Sequence, residues 1–357
     1  MLQSTEEDFR GERVTARGTE PPERASGQTS DAAAHDAIAR DKAPLSGRAL
    51  LAVPLAAAVT LGVHLLVWKN ELPSESRSYT IFLSLFFAGA IAAALAQRRW
   101  AALRARIRGM RPLFTVAVLL LCAWEVITSG FRLLPLPYFP SPAGVMQSMI
   151  NDRALLFDST WHSLALLLSG YFLGVAAGFI TGVCIGWSEP ARYWGMPLLK
   201  VVGPIPATAW IPLAMVVSPS AMFSAAALIA LAVWFPVTML TASGISNTRA
   251  SYLDVARTLG AGPRYLIFRV AIPAALPSIF VGLFMGLGAS FLTLVVAESV
   301  GVKSGLGWYV SWAQGWAEYG KVYAALVIMA AFFSTIMTLL FKLRDRVLVW
   351  QKGMIRW

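Results

Sequence analysis

Charge is scarce in this chain. Only 14% of its 357 residues are Asp, Glu, Lys or Arg, against 57% hydrophobic. A water-soluble domain of this length needs about a quarter of its residues charged, so a soluble globular protein is excluded. Cysteine is scarcer still. Cys122 and Cys184 both lie in apolar segments, which excludes a disulfide framework and leaves two free thiols expected to be buried. No spacing of His, Cys and carboxylates suits a metal, and no cluster of polar groups suits catalysis. Stretches of about ten residues alternating apolar and polar are missing, which argues against a membrane β-barrel. The pattern G-x-x-x-x-G-K-S/T is absent, so the chain should not hydrolyse ATP itself. No internal repeat is evident.

What the chain has instead is a series of long apolar runs. Crossing the hydrocarbon core takes roughly 20 apolar residues as a helix. Runs at 49–68, 78–97, 113–131, 161–187, 203–218, 221–243, 272–297 and 322–341 meet or approach that length. The expected fold is therefore all-α and polytopic, with eight spans. The 203–218 run is short and interrupted by Pro204, Pro206 and Pro212.

The net charge of +11 is concentrated between the runs. Arg98, Arg99, Arg104, Arg106, Arg108 and Arg111 crowd one connection, and further Lys and Arg follow 341. Cytoplasmic flanks of membrane helices carry such an excess, so this charge reads as orientation and not as a nucleic-acid surface. It places both termini, 98–111, 188–202 and 244–271 inside the cell, and 69–77, 132–160 and 298–321 outside. Anionic membrane lipids are natural partners for the arginine cluster. Tryptophans such as Trp161, Trp187, Trp194, Trp308, Trp312 and Trp316 mostly fall at the expected interfaces, where aromatic belts form.

Residues 1–47 are polar, with almost no aromatics, and are expected to be a disordered cytoplasmic tail. The apolar run after Arg48 is too long for a secretory signal and lacks a clear cleavage site. Residues 48–111 form an extra membrane helical pair and a basic cytoplasmic linker. Residues 112–345 form a six-helix core with a cytoplasmic loop at 246–271, and 346–357 form a second tail. Pro135, Pro137, Pro140 and Pro142 keep the stretch after 132 extended.

One polar island stands out within the core. Read as a helix, 251–259 places Tyr252, Val255, Ala256 and Leu259 on one face and Asp254, Arg257 and Thr258 on the other. Gly260 supplies a C-terminal cap, and Pro263 can start a second short helix over 264–270. Pro273 then marks entry to the next span. Two short helices joined by a sharp turn, edged by Arg264, Tyr265, Phe268 and Arg269, make a docking surface for a partner.

These residues resemble a known family signature: Glu-Ala-Ala, three residues, Gly, nine residues, then Ile-x-Leu-Pro. It marks the permease subunits of binding-protein-dependent ABC importers. The chain matches it in spacing, with Asp254, Val255, Ala256, Gly260, Val270, Ile272 and Pro273 at the motif positions. Asp254, Val255 and Ile272 stand where Glu, Ala and Leu are usual, and Asp254 is one methylene shorter. The segment Pro204–Leu213, and Ala297-Glu298 followed by Gly305-Leu306-Gly307, resemble the nitrate, sulfonate and taurine branch. Leu166 and Leu167 occupy a region where many relatives carry an arginine. Val217-Ser218-Pro219 replaces a usual Trp-Phe-Gly.

The resemblance implies an all-α permease that moves a small solute (sulfonate, taurine, nitrate, bicarbonate or similar) across the inner membrane by alternating access. It implies that Asp254, Val255, Ala256, Arg257, Gly260, Val270, Ile272 and Pro273 couple to an ABC ATPase subunit, which binds ATP and Mg. It further implies a second permease subunit, most simply a homodimer, and a periplasmic or lipid-anchored solute-binding protein. No cofactor or catalytic residue is expected in this chain.

Three further features invite interpretation. Gly170, Gly174, Gly178, Gly182 and Gly186 recur every four residues, which permits close helix approach either within the subunit or across a dimer. Pro206, Trp210 and Pro212 interrupt a span and are candidates for the translocation path, with a simple structural kink as the alternative. Glu298 ends an apolar run; it is a third kind of path candidate, or else a surface carboxylate that solvation or a cap contact satisfies. His162 is expected at an interface. An ion-gradient-driven transporter, or less plausibly a membrane-embedded enzyme, are the alternative functions. The first favours buried mid-span carboxylates and internal repeats, and neither is clear here.

Overall fold

The computed structural model describes residues 47–67, 73–99, 101–135 and 137–350. The tail expected before Gly47 and the last seven residues lie outside that range. Among the described residues every regular element is helical. Helices α1 (Gly47–Val67), α2 (Pro73–Arg99) and α3 (Ala101–Glu125) come first, and α3 ends in a π turn at Val126–Gly130. Irregular stretches over 131–135 and 137–141 lead to α4 (Pro142–Asn151) and α5 (Arg153–Trp187). Then follow α6 (Glu189–Val202), a 3-10 turn (Ala207–Trp210), α7 (Ile211–Val217), α8 (Ala221–Ser246) and α9 (Ala250–Thr258). Helix α10 (Pro263–Tyr265) passes through a π turn (Leu266–Ala271) into α11 (Ile272–Val300), before α12 (Leu306–Gly315) and α13 (Tyr319–Val347).

Among the described residues six helical stretches are long and apolar enough to cross a membrane: 77–97, 110–130, 153–187, 221–246, 263–300 and 319–347. The apolar part of α1, Leu51–Leu66, is shorter. The proline-interrupted run expected over 203–218 falls in a bent pair of helices. Helix α6 and the segment Ala207–Val217 meet at 82°. Three prolines within nine residues deny the backbone a continuous hydrogen-bond ladder, and short turns such as Ile205 N–H to Val202 O (3.1 Å) fill the break.

Helix α8 is the centre of the core. Helix α5 packs along one side of it and α11 along another. The glycine stripe explains the first contact. A Cβ at Gly170, Gly174, Gly178, Gly182 or Gly186 would come within 2.9 Å of α8 atoms, and at Gly174 within 2.5 Å of the Ala230 carbonyl. The stripe therefore packs within the subunit. Side chains are absent where the two backbones touch, so the contact gains dispersion along five turns. Cys184 lies off this stripe and faces outward, which corrects the expectation that both thiols are buried. Only Cys122 is buried. Helix α13 closes over α11, with Phe291 against Phe333 (4.5 Å) and Phe284 against Phe341 (4.3 Å) between ring centroids.

The N-terminal helices are fastened to this core. Tyr79 and Leu83 of α2 pack on Ala143 of α4, and Ser78 donates to Gln147 Oε1 at 3.0 Å. Helix α1 meets α3 through a buried His64–Glu125 pair, while His64 Nε2 lies 2.8 Å from Thr80 Oγ1. The basic stretch is not a linker loop: residues 101–111 are the first turns of α3, which runs unbroken through Pro112. Ala, Arg and Leu favour the helix, and α3 begins twelve residues before the apolar run that hydropathy alone marks.

Candidate functional site

Two ends of the helical body can be told apart by what meets there. One end carries the C-termini of α5 and α8, helix α9, the start of the 263–300 helix and the C-terminus of α13. The other carries α4, the start of α5, the tip of α7, the C-terminus of α11, α12 and the start of α13.

At the first end, α9 stands clear of the body. None of its residues is buried, and Tyr252, Val255 and Leu259 are all more than half exposed. Gly260 ends the helix with φ +84°, the left-handed conformation that glycine adopts without strain. Its N–H bonds to Arg257 O (2.9 Å), and the Ala261 N–H bonds to Ala256 O (3.0 Å). This pair of bonds is the Schellman arrangement, which satisfies carbonyls otherwise left over at a helix end. Asp254 and Arg257 form an exposed ion pair at 3.0 Å, so in the isolated subunit each is the other's partner. A cleft of about 480 Å³ opens between Tyr252, Val255, Ala256 and Leu259 on one side and Tyr265, Arg269 and Val270 on the other.

The second short helix expected over 264–270 is not separate. Pro263 starts a helix that continues to Val300, with Ile272 N–H reaching back to Ile267 O in a π turn. Pro273 follows that turn; its ring displaces the regular ladder, and the wider turn accommodates it. Val270, Ile272 and Pro273 thus lie on the long helix, and Asp254–Gly260 on the exposed spur beside it.

A cavity of about 300 Å³ lies where the bent pair meets α8 and α11. Pro206, Thr208, Phe235, Pro236, Met285 and Thr293 are among its walls. Pro206 is the path candidate that lines it; Trp210, Pro212 and Glu298 do not.

Glu298 belongs to the other end. It is buried, not a surface carboxylate. Its Oε1 accepts from Ser163 Oγ at 2.7 Å and its Oε2 from Gly307 N at 2.8 Å, while Ser163 Oγ accepts from Leu306 N at 2.8 Å. Two spans together cap the N-terminus of α12, Ser163 accepting from its first N–H and Glu298 from its second. Nearby, Tyr309 donates to Asp152 Oδ2 (2.8 Å), and Lys321 bridges Asp152 (3.3 Å) and Glu318 (2.6 Å). Burial, and then the Asp152 carboxylate, push the Tyr309 phenol well above its ordinary range and keep it a donor. His162 is exposed beside Asp158 at 3.4 Å. Among the described residues no group of three or more His, Cys, Asp or Glu could hold a metal.

Sequence reasoning missed Ser163, Asp152, Tyr309 and the His64–Glu125 pair. The signal for the last was present, since both are ionisable residues inside apolar runs, but their 61-residue separation hid the pairing.

A helical membrane body with an exposed spur at one end and a pinned cap at the other defines a polytopic permease. The family described as binding-protein-dependent transport system inner membrane component matches residues 170–349. Relatives include a probable ABC transporter permease of Haemophilus influenzae, 32% identical over 63% of this chain and 91% of its own length. The putative aliphatic sulfonates permease SsuC of Bacillus subtilis is 31% identical, over 64% of this chain and 82% of that protein. The taurine permease TauC of Escherichia coli is 29% identical, over 60% and 80%. Among solved structures, an inward-facing MetNI methionine ABC transporter chain aligns at 18% identity and TM-score 0.49, covering 55% of this chain and 98% of that one. The chain belongs to the family of ABC importer permease subunits. It is a multi-pass inner-membrane transport component, not an enzyme, of a family that works with ATPase and binding-protein partners.

Proposed function

We propose that this chain imports a small solute of the sulfonate or taurine kind, with nitrate and bicarbonate as related possibilities, driven by a separate ATPase. Helix α9 and the cleft beside it receive the ATPase surface, with Asp254, Val255, Ala256, Arg257 and Gly260 on the spur and Val270, Ile272 and Pro273 on the helix that moves with it. The observation that carries this is the exposed apolar cleft at 252–270, on a loop closed by hydrogen bonds of its own. Apolar side chains held out on a short, capped helix beyond the spans need a protein partner to cover them. ATP and Mg belong to that partner.

This end is cytoplasmic in our assignment, together with both chain termini, and the α12 end faces outward toward the binding protein. Two copies of the chain supply two spurs for two ATPases. The cavity beside Pro206 lies on the solute path, with Trp210 and Pro212 in the same bent segment. The sulfonate and taurine assignment draws its support from the relatives SsuC and TauC.

Co-purification with an ATPase subunit and uptake into vesicles test the assignment. Gly260→Pro, which cannot hold a positive φ, is expected to abolish both assembly and uptake. Normal assembly and coupled uptake in that variant would overturn the docking role. Uptake that persists with a hydrolysis-dead ATPase would favour an ion-gradient mechanism instead. Ligand binding by the cognate binding protein, measured with taurine, an alkanesulfonate, nitrate and bicarbonate, tests the solute.

A further inference from the structure

The spans α5 and α11 lie on different sides of α8 for most of their length, yet at the α12 end they are joined directly. The joint is the bond from Ser163 on α5 to Glu298 on α11, and both residues are buried. Its third member is α12, whose first two N–H groups go one to each span: Leu306 to Ser163 and Gly307 to Glu298. The fit leaves no slack. Gly305 sits at φ +101°, and a Cβ there would lie 2.2 Å from Glu298 Oε1; a Cβ on Gly307 would lie 2.5 Å from Val295 O. Further along, α12 is tied to the α4–α5 junction by Tyr309, which donates to Asp152, and to α13 by Trp312, whose ring sits 4.9 Å from Lys321 Nζ. Helix α12 is therefore a stiff piece whose position is set by two spans at once.

One of those spans reaches the opposite end of the molecule. From Pro263 beside the cleft to Val300, the chain is one continuous helical stretch with a π turn at Leu266–Ala271, roughly 55 Å long at 1.5 Å per residue. Displacement at its cleft end is delivered to Glu298. Hydrogen bonds of 2.7–2.8 Å weaken steeply when stretched or tilted. If α11 slides against α5, the shared cap cannot satisfy both spans in its present form, and α12 must follow one of them.

We infer that Ser163 and Glu298 are positioning residues for transport: their joint cap on α12 carries the movement of α11 to the outer face, and so links ATPase closure to release of solute from the binding protein. This rests on the import function proposed above. The test uses the complete reconstituted complex of permease, ATPase and binding protein, and reads solute imported per ATP hydrolysed alongside the amount of assembled complex. Glu298→Ala is expected to assemble and to keep basal ATP hydrolysis, while solute per ATP falls about tenfold, because its hydrogen bonds with Ser163 and Gly307 are both lost. Ser163→Ala, which leaves the Glu298–Gly307 bond in place but removes the bond to Glu298 and the one from Leu306, is expected to lower the ratio about threefold. Glu298→Gln should stay within about twofold of the parent, because its amide can accept from Gly307 and donate to Ser163.

An unchanged ratio in Glu298→Ala overturns the inference, as does a loss of uptake that merely tracks the loss of assembled complex. Where Glu298→Ala does not assemble, an unchanged ratio in Ser163→Ala overturns it equally. These outcomes differ from failure of the import function itself, in which the unmutated complex would take up solute without hydrolysing ATP.

Discussion

Helix α11 has a connection at each end, and the two are opposites. Before it, 247–262 carries Tyr252, Val255 and Leu259 in the open, and its ion pair is exposed. After it, 301–318 buries Val302, Leu306, Tyr309 and Ala313 and spends its polar groups on Glu298, Ser163 and Asp152. Both are short helices on turns that include a positive-φ glycine, Gly260 in one and Gly305 in the other. What differs is where the contacts are made. The second connection is completed by this chain's own spans, whereas the first leaves its apolar side chains exposed. A surface awaiting a partner and a piece of frame can thus share the same local architecture, and burial separates them.

The sharpest way to break the comparison is to disturb the frame common to both. Gly174→Val places atoms against the Ala230 carbonyl and Val233, where even a Cβ would be 2.5 Å and 2.7 Å away. Overpacking of this kind costs about 3 kcal/mol at the upper end of its range. The expected outcome is loss of monodisperse protein in size-exclusion chromatography after detergent extraction, with both connections affected.

Tyr309→Phe acts on the outer connection alone. It removes the donor to Asp152 and is expected to cost about 1–2 kcal/mol, read as a lowered thermal midpoint of the purified subunit. The raised Tyr309 pKa also has a sign to test. A phenol whose pKa is higher folded than unfolded gives stability that is complete below its unfolded value, about 10, and is lost only as pH rises through the folded value. Thermal midpoints of the parent minus Tyr309→Phe should therefore differ by a constant amount from pH 7 to 9. A difference that shrinks across that window would refute the buried-donor role.

Gly260→Ala acts on the inner connection. The left-handed conformation costs a non-glycine residue about 1 kcal/mol, with no steric clash, since nothing lies within 4 Å of the added methyl. The subunit's thermal midpoint is expected to stay put, because α9 frays locally, while affinity for the ATPase falls about fivefold by pull-down titration. The smallest effect belongs to Asp254→Asn. An exposed pair contributes under about 0.5 kcal/mol, so subunit stability should not change measurably. Any effect should emerge only with the ATPase present and weaken with added salt, seen in titrations at two ionic strengths. A stability loss in the isolated subunit would mean that α9 is frame after all.

Much of this fold is legible in composition alone. Six of the expected spans fall on six long helices, because backbone groups in hydrocarbon must bond within their own segment and apolar runs of that length have few other options. The helix-ending turn at Gly260 is legible too, since glycine suits the left-handed cap there. The bent pair is half legible: Pro204, Pro206 and Pro212 announce a break, but not an 82° fold-back with a cavity in its angle. The start of α3 is hidden because arginines score as polar flank although they are good helix formers.

Sequence by itself determined that this chain lives in a membrane, that it is helical, and that one polar stretch between apolar runs forms a short helix ended by glycine. These are local properties, set by hydropathy, residue spacing and the conformational range of glycine and proline. Only the tertiary structure decided that the glycine stripe of α5 packs on α8, that Glu298 is a buried cap and not a surface charge, and that His64 faces Glu125. Each of those depends on a partner far along the chain, such as Ser163 at 135 residues from Glu298. A side chain's role in a low-dielectric interior is set by what satisfies it there, and that is decided only when the helices meet.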